Sequence, residues 1–258
     1  MKKMNFKLMI VALMAMVGLS SCLGDSDSTS YGTEYVQVTG FPGSYSFKNS
    51  MGYTINAINS SVIKENLSYG SYAMIAYQFD AEKVDHQKKI FEAELQGYVK
   101  VPELMPYGDD SFEENAPMAD MFFGTRDVFF YDKYNLFIPF TYFYKNDTDP
   151  AKLAAELNSH HFVLEPDYED KEMDEERNFV LRLKHNVDNT DLDKERKAKG
   201  TQAYHVDLSY LLGSNVPTRI TVKFKKSSEA SMGKAEENLG QFYIEYKQIV
   251  DSYFTPKQ

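Results

Sequence analysis

Ser71-Tyr72-Ala73-Met74-Ile75-Ala76-Tyr77-Gln78-Phe79 is apolar on both of its alternating faces. A strand of that kind has both faces covered, so this one belongs in the middle of a small β structure rather than at an edge. Working outward, Tyr45 and Phe47 alternate with Ser44, Ser46 and Lys48. After a turn at Asn49 to Gly52, Tyr53, Ile55 and Ala57 alternate with Thr54 and Asn56. Phe91, Ala93, Leu95, Val99 and Val101 share one face, and Glu92, Glu94, Gln96 and Lys100 the other. With Glu34 to Val38 this predicts five strands, and the polar gap from Asn59 to Gly70 leaves room for a short helix. Five strands in so few residues make a two-sheet sandwich difficult and suit a small closed, OB-like barrel.

A second set of strand-like runs follows: 128–131, 134–144, 161–164, 179–186, 203–210, 219–225 and 241–247. Their mixed faces predict an antiparallel β-sandwich. Pro139 inside the long second run places that strand at an edge or a bulge. One helix is expected where Asp149 can cap and Pro150 can open the stretch Ala151-Lys152-Leu153-Ala154-Ala155-Glu156-Leu157. The fold class is therefore all-β, a barrel followed by a sandwich carrying one short helix.

The chain has 258 residues, 38 acidic against 28 basic side chains, 19 Tyr, 18 Phe and no Trp. An aromatic share of 14% excludes a disordered or collagen-like chain. One Cys excludes a disulfide framework and a thiolate zinc site. The negative charge is concentrated. Residues 103–120 carry six acids and no base, and residues 165–176 carry eight acids with only Lys171. The first stretch, with Pro102, Pro106, Gly108 and Pro117, reads as an interdomain linker, and the second as a solvated loop between strands. The expected organisation is a barrel domain at 34–101, an acidic linker at 102–126 and a sandwich domain at 127–258.

Residues 1–21 read as a signal peptide. Lys2, Lys3 and Lys7 form its basic start, and the ten mostly apolar residues Leu8 to Val17 are too few to span a bilayer, where about 20 are needed. Leu19-Ser20-Ser21-Cys22 resembles the lipobox of bacterial lipoproteins. That resemblance implies cleavage before Cys22 and acylation of its thiol and of the new amino terminus, an anchor of two or more chains. The mature chain then holds 25 basic and 38 acidic side chains, a charge of −13, the wrong sign for nucleic acid or an anionic membrane surface. Residues 22–33 form a small polar tether. Asp25 and Asp27 are similar to the acidic export signals of Bacteroidetes surface lipoproteins, which places the chain in the envelope on the outer membrane, at the cell surface or the periplasmic face. Asp27-Ser28-Thr29 resembles the short O-glycosylation motif of the same bacteria, with Ser28 as acceptor.

The mature chain resembles the NigD-like lipoproteins of the Bacteroidales. Tyr69 to Tyr77 is similar to that family's Gly-plus-hydrophobic barrel strand. Lys133-Tyr134-Asn135-Leu136-Phe137-Ile138 is similar to its Tyr-Leu-Asn-like element, Leu181-Arg182-Leu183-Lys184-His185-Asn186 to its Leu-Arg-His-Asn-like strand end, and His205-Val206-Asp207-Leu208-Ser209 to its Phe-Asp-Leu-Ser-like strand. The resemblance implies a lipidated Cys, an N-terminal OB barrel, a C-terminal sandwich and an association with a bacteriocin locus.

For chemistry, the sequence offers little. His185 shares a face with Leu181 and Leu183 and is expected to be a hydrogen-bonded structural histidine. His160 and His161 point to opposite faces and cannot share a metal, while His205, out of step with Tyr204 and Val206, is expected to face solvent. Asn189-Thr190-Asp191-Leu192-Asp193 alternates oxygens as calcium loops do, but Lys194 and Gly200 stand where an EF-hand needs Gly and Glu. No HExxH, GxSxG, P-loop or dinucleotide fingerprint occurs. The expectation is a non-catalytic envelope lipoprotein without cofactor or metal, binding or protecting through an unidentified envelope protein. The alternative is a glycan-binding outer-membrane lipoprotein whose Tyr rings stack on sugars.

Overall fold

The computed structural model describes residues 28–64, 67–104, 112–119, 128–167, 178–188, 196–212, 216–227 and 238–254. The chain divides into two compact units, residues 1–102 and 103–258.

In the first unit β1 (Thr29–Val38), β2 (Ser46–Asn49), β3 (Thr54–Ala57), β4 (Tyr72–Asp80) and β5 (Ile90–Lys100) close into a barrel of order β1-β2-β3-β5-β4. All neighbours run antiparallel except β3 and β5, which pair in parallel from Thr54↔Ile90 to Ala57↔Ala93. Alternation does what it predicts. Val36, Val38, Phe47, Ile55, Ala73, Ile75, Phe91, Ala93 and Leu95 fill the interior, all under a tenth exposed. The predicted short helix in the polar gap is a single 3-10 turn, Ser60–Val62, tied down because the Ser60 hydroxyl accepts from Tyr45 N–H at 3.0 Å and donates to Ala57 O at 3.1 Å.

In the second unit the strands are β6 (Met118–Ala119), β7 (Phe129–Phe130), β8 (Asn135–Tyr144), β9 (His160–Pro166), β10 (Asn178–Val187), β11 (Ala198–Asp207), β12 (Arg219–Ser227) and β13 (Asn238–Ile244). They form one sheet of order β11-β8-β6-β12-β10-β9, with β13 also on β12 and β7 also on β8. The sheet folds over on itself. Its two end strands meet through Phe162 of β9 and Tyr204 of β11, ring centroids 5.2 Å apart. Leu136, Phe140, Leu164, Leu183, Val206, Val222 and Ile244 fill the core between the halves. The turn of the fold is β6, two residues long, antiparallel to β8 at Met118↔Tyr142 and parallel to β12 at Lys226↔Met118.

The sheet is all-β as read from the sequence but not wholly antiparallel: β10 and β12 pair in parallel from Asn178↔Arg219 to Leu183↔Phe224. Residues 112–119, assigned by sequence to the linker, are packed into the second unit. Ala116, Met118 and Ala119 are buried there, Met118 as part of the core and Ala116 against Val187 of β10. Pro139 sits opposite Ala203 of β11. On its other side it falls between the β7 pairing, which ends at Phe137, and the β6 pairing at Tyr142, so its missing N–H costs no ladder bond there.

The predicted helix is α1 (Pro150–Asn158), with the Asp149 carboxylate accepting from Ala151 N–H at 2.9 Å. Two further single turns, α2 (Ser209–Leu212) and α3 (Tyr246–Ile249), end strands β11 and β13. Among the described residues no helix is long and apolar enough to cross a membrane.

Candidate functional site

A groove of about 430 Å³ is lined by residues of β3, β5 and β4 of the barrel. Because β3, β5 and β4 are neighbours, Asn56, Gln78, Glu92 and Glu94 line it together, with Phe79, Ile90 and Phe91 as its apolar part. The turn after β4 forms the rim, contributing Asp80, Lys83 and Asp85. Four carboxylates against one ammonium leave the lining at −3. Lys83 pairs with Asp80 at 2.9 Å, and Gln78 donates to Glu94 at 2.7 Å. The hydrogen bond from Ser28, with Lys83 next, holds the Asp80 carboxyl below its usual range. The Lys88 N–H does the same for Asp85, so both rim carboxylates stay ionised into mild acid. Elsewhere on the barrel Phe41 and Tyr69, each about two-thirds exposed, stack at 6.0 Å between ring centroids.

The second unit holds a buried polar chain. Arg196, 1% exposed, binds Glu156 of α1 through Nε to Oε1 at 2.6 Å and Nη2 to Oε2 at 3.3 Å. Glu156 Oε1 lies 3.4 Å from His160 Nε2, His160 Nδ1 lies 2.9 Å from His185 Nε2, and His185 Nδ1 lies 3.3 Å from Pro117 O. Phe162 stacks on His185 at 4.5 Å, and Tyr142 lies 4.7 Å from the His160 ring. Burial pushes His160 down to about 4 and His185, with the neighbouring His160 adding to it, to about 3. Burial alone would raise Glu156, but the Arg196 hydrogen bond and the Lys145 N–H outweigh it and hold its carboxyl below the usual range.

His185 is thus the hydrogen-bonded structural residue its face predicted. His160 is buried and His161 exposed, the latter 2.6 Å from Asp188 Oδ2, as their opposite faces require. His205 corrects the sequence reading. It is 6% exposed, with Nε2 2.8 Å from Asn135 Oδ1 and the Phe137 ring 5.6 Å away. The chain at Glu103 and Leu104 runs alongside it and covers the face taken for solvent, Leu104 N–H donating to His205 O at 2.8 Å.

Ser28 is half-buried at the start of β1, its carbonyl accepting from Ala81 N–H at 2.9 Å. The predicted signal peptide, Cys22, the calcium-like stretch 189–193 and most of the acidic loop lie outside the described residues. Of that loop, Glu165 pairs with Lys184 at 2.5 Å and Asp167 with Lys223 at 3.4 Å. Among the described residues no three His, Cys, Asp or Glu side chains are grouped to hold a metal ion. The Glu156–Arg196 pair was missed from sequence. Its only trace there is the i, i+4 spacing of Glu156 and His160, which crosses from a helix into a strand.

A five-stranded barrel joined to a folded-over β-sheet is an architecture that recurs in solved proteins of Bacteroidales. A protein of Bacteroides fragilis, provisionally named as a lipoprotein, is similar over 84% of this chain and 98% of its own, with a TM-score of 0.65 and 18% identity. A protein of unknown function from Bacteroides vulgatus matches over 84% of this chain and 91% of its own, TM-score 0.52, at 14% identity. A NigD-like immunity protein from Bacteroides caccae is also among the similar structures, over 85% of this chain and 93% of its own, TM-score 0.49 and 12% identity. At these identities the likeness is one of fold. No family model and no curated protein matches the chain.

Proposed function

We propose that this chain is a NigD-like envelope lipoprotein, anchored at the outer membrane through lipid on Cys22, whose barrel groove binds a basic segment of another envelope protein without catalysis. The observation that carries it is the groove itself: the half-buried Phe79 and Ile90 bordered by Asp80, Asp85, Glu92 and Glu94. Such a lining complements a segment that alternates Lys or Arg with apolar residues, and the charge pattern favours fast encounter with it. The lipobox, the polar tether and the sequence likenesses to NigD-like proteins support the anchoring half.

Pull-down from native membranes tests it. A protein retained by the wild type and lost from a Glu92→Lys, Glu94→Lys double variant supports the reading, and equal retention by both overturns it. The exposed Phe41–Tyr69 stack favours a second reading, a sugar-binding face. A glycan-array signal lost on Tyr69→Ala and kept in the groove variant would select it.

A further inference from the structure

The buried chain from Pro117 to Glu156 contains three contacts between polar atoms: Pro117 O to His185, His185 to His160, and His160 to Glu156. Both ends are acceptors, a carbonyl oxygen and a carboxylate oxygen. Each neutral imidazole brings one ring proton, so two neutral rings supply two protons to three contacts. If His185 donates to Pro117, then His160 donates to His185 and turns a bare nitrogen to Glu156. In the opposite arrangement the bare nitrogen faces Pro117. Only a third proton on the ring pair fills every contact, and it places a positive charge inside the core.

That charge has little to neutralise it. Glu156 already faces Arg196 bidentately and takes the Lys145 N–H. The other groups around the rings are the Tyr142 hydroxyl on β8, pushed up to about 12 by burial, the Tyr204 hydroxyl on β11, also raised by burial, and the exposed His161–Asp188 pair. Within the strap, Glu114 sits between Lys225 at 3.3 Å and Arg182 at 3.6 Å. None of these offers the pair an uncommitted anion.

His185 is also what holds residues 113–117 onto β10. Its carbonyl accepts from Asn115 N–H at 3.2 Å and Ala116 N–H at 3.1 Å, while its ring reaches Pro117 O. Flanking bonds extend the contact: Asn186 Nδ2 to Glu113 O at 2.6 Å, Val187 N–H to Asn115 Oδ1 at 2.8 Å, and Asn115 Nδ2 to Val187 O at 3.1 Å. A solvated imidazolium needs water at the ring, and release of this strap frees the Pro117 side of the His185 ring.

We propose that His160 and His185 form a one-proton latch for residues 113–119: the strap is docked on β10 while both rings are neutral, and a proton taken up by the pair releases it. Glu113 and Glu114 lie within the strap, so a glutamyl endopeptidase, active at neutral and mildly acid pH, reads its release. Cleavage of the full chain is normalised to the denatured chain at each pH. The expected result is at least a tenfold rise in cleavage after Glu113 or Glu114 between pH 7 and pH 4.5, before any cut at Glu92 or Glu245 within the two folded units. His185→Gln and His160→Gln should each flatten that rise; if one fails to fold, the other is read.

Glu114→Gln removes the one strap carboxylate whose own protonation could loosen it, and its rise at Glu113 should match the wild type. The proposal is overturned by any of four results: no rise, a rise that persists in the histidine variants, a rise abolished by Glu114→Gln, or cuts at Glu92 or Glu245 that keep pace with the strap.

Discussion

Gly32 of β1 faces the ring of Tyr77 on the neighbouring strand so closely that a Cβ at position 32 would stand 2.4 Å from Tyr77 Cζ. The ring cannot easily retreat, because its hydroxyl donates to Glu34 Oε1 at 2.5 Å and its face packs against Phe79 and Phe91. Gly32→Ala should therefore destabilise the barrel by about 1–3 kcal/mol through overpacking, read as a lowered urea midpoint. Gly32→Ala combined with Tyr77→Ala should lose less stability than the sum of the two single losses, since the clash is then gone.

Arg196 and Glu156 are an ion pair almost out of solvent. Removing one partner strands the other, so Arg196→Leu should cost about 3–5 kcal/mol at pH 7. It also deletes a positive charge that holds the neighbouring His160 down. The His160 titration, followed by ring NMR, should move upward in this variant.

His205 gives a pH dependence with a definite sign. Burial pushes it down to about 4 from an ordinary value of 6.5. The unfolded chain therefore takes up a proton first as pH falls below 6.5. The stability due to keeping this ring neutral is complete above 6.5 and is lost progressively down to about 4, on the order of 3 kcal/mol for a shift of that size. His205→Gln, which keeps a donor for Asn135, should flatten part of the decline in urea midpoint between pH 7 and pH 4.5.

Anchoring has its own test. The Cys22→Ser precursor should be neither acylated nor retained with membranes, and should move from the detergent phase to the aqueous phase on detergent partitioning. A variant that still enters the detergent phase would remove the lipid from the proposal.

The barrel was legible because its signals are local and redundant. Tyr72 to Phe79 is apolar on both faces, and Phe91, Ala93 and Leu95 alternate without interruption. In the second unit the same reasoning located the long strands but not their partners. Parallel pairing of β10 with β12 joins segments about 40 residues apart, and alternation is blind to direction. β6 escaped notice because two residues carry no period, and the acids before it resemble a linker. His205 was placed in solvent by a parity argument that assumes one bare face. Leu104, from a segment a hundred residues earlier, covers it. The histidine chain depends on Pro117, His185 and Arg196 meeting the Glu156–His160 stretch from distant segments, and beyond the i, i+4 spacing of Glu156 and His160 nothing along the sequence signals that meeting.

The barrel groove includes Thr29 and Asp80, which pair at the very start of β1, so it opens at the end of the barrel where the chain leaves toward Cys22. Only five residues lie between Cys22 and Ser28, and an extended chain covers at most about 3.6 Å per residue step. A lipid on Cys22 therefore leashes the groove to roughly 20–25 Å above the lipid surface. At that height a soluble visitor must enter the headgroup margin to reach it, whereas a partner moored in the same membrane meets it by diffusing in two dimensions.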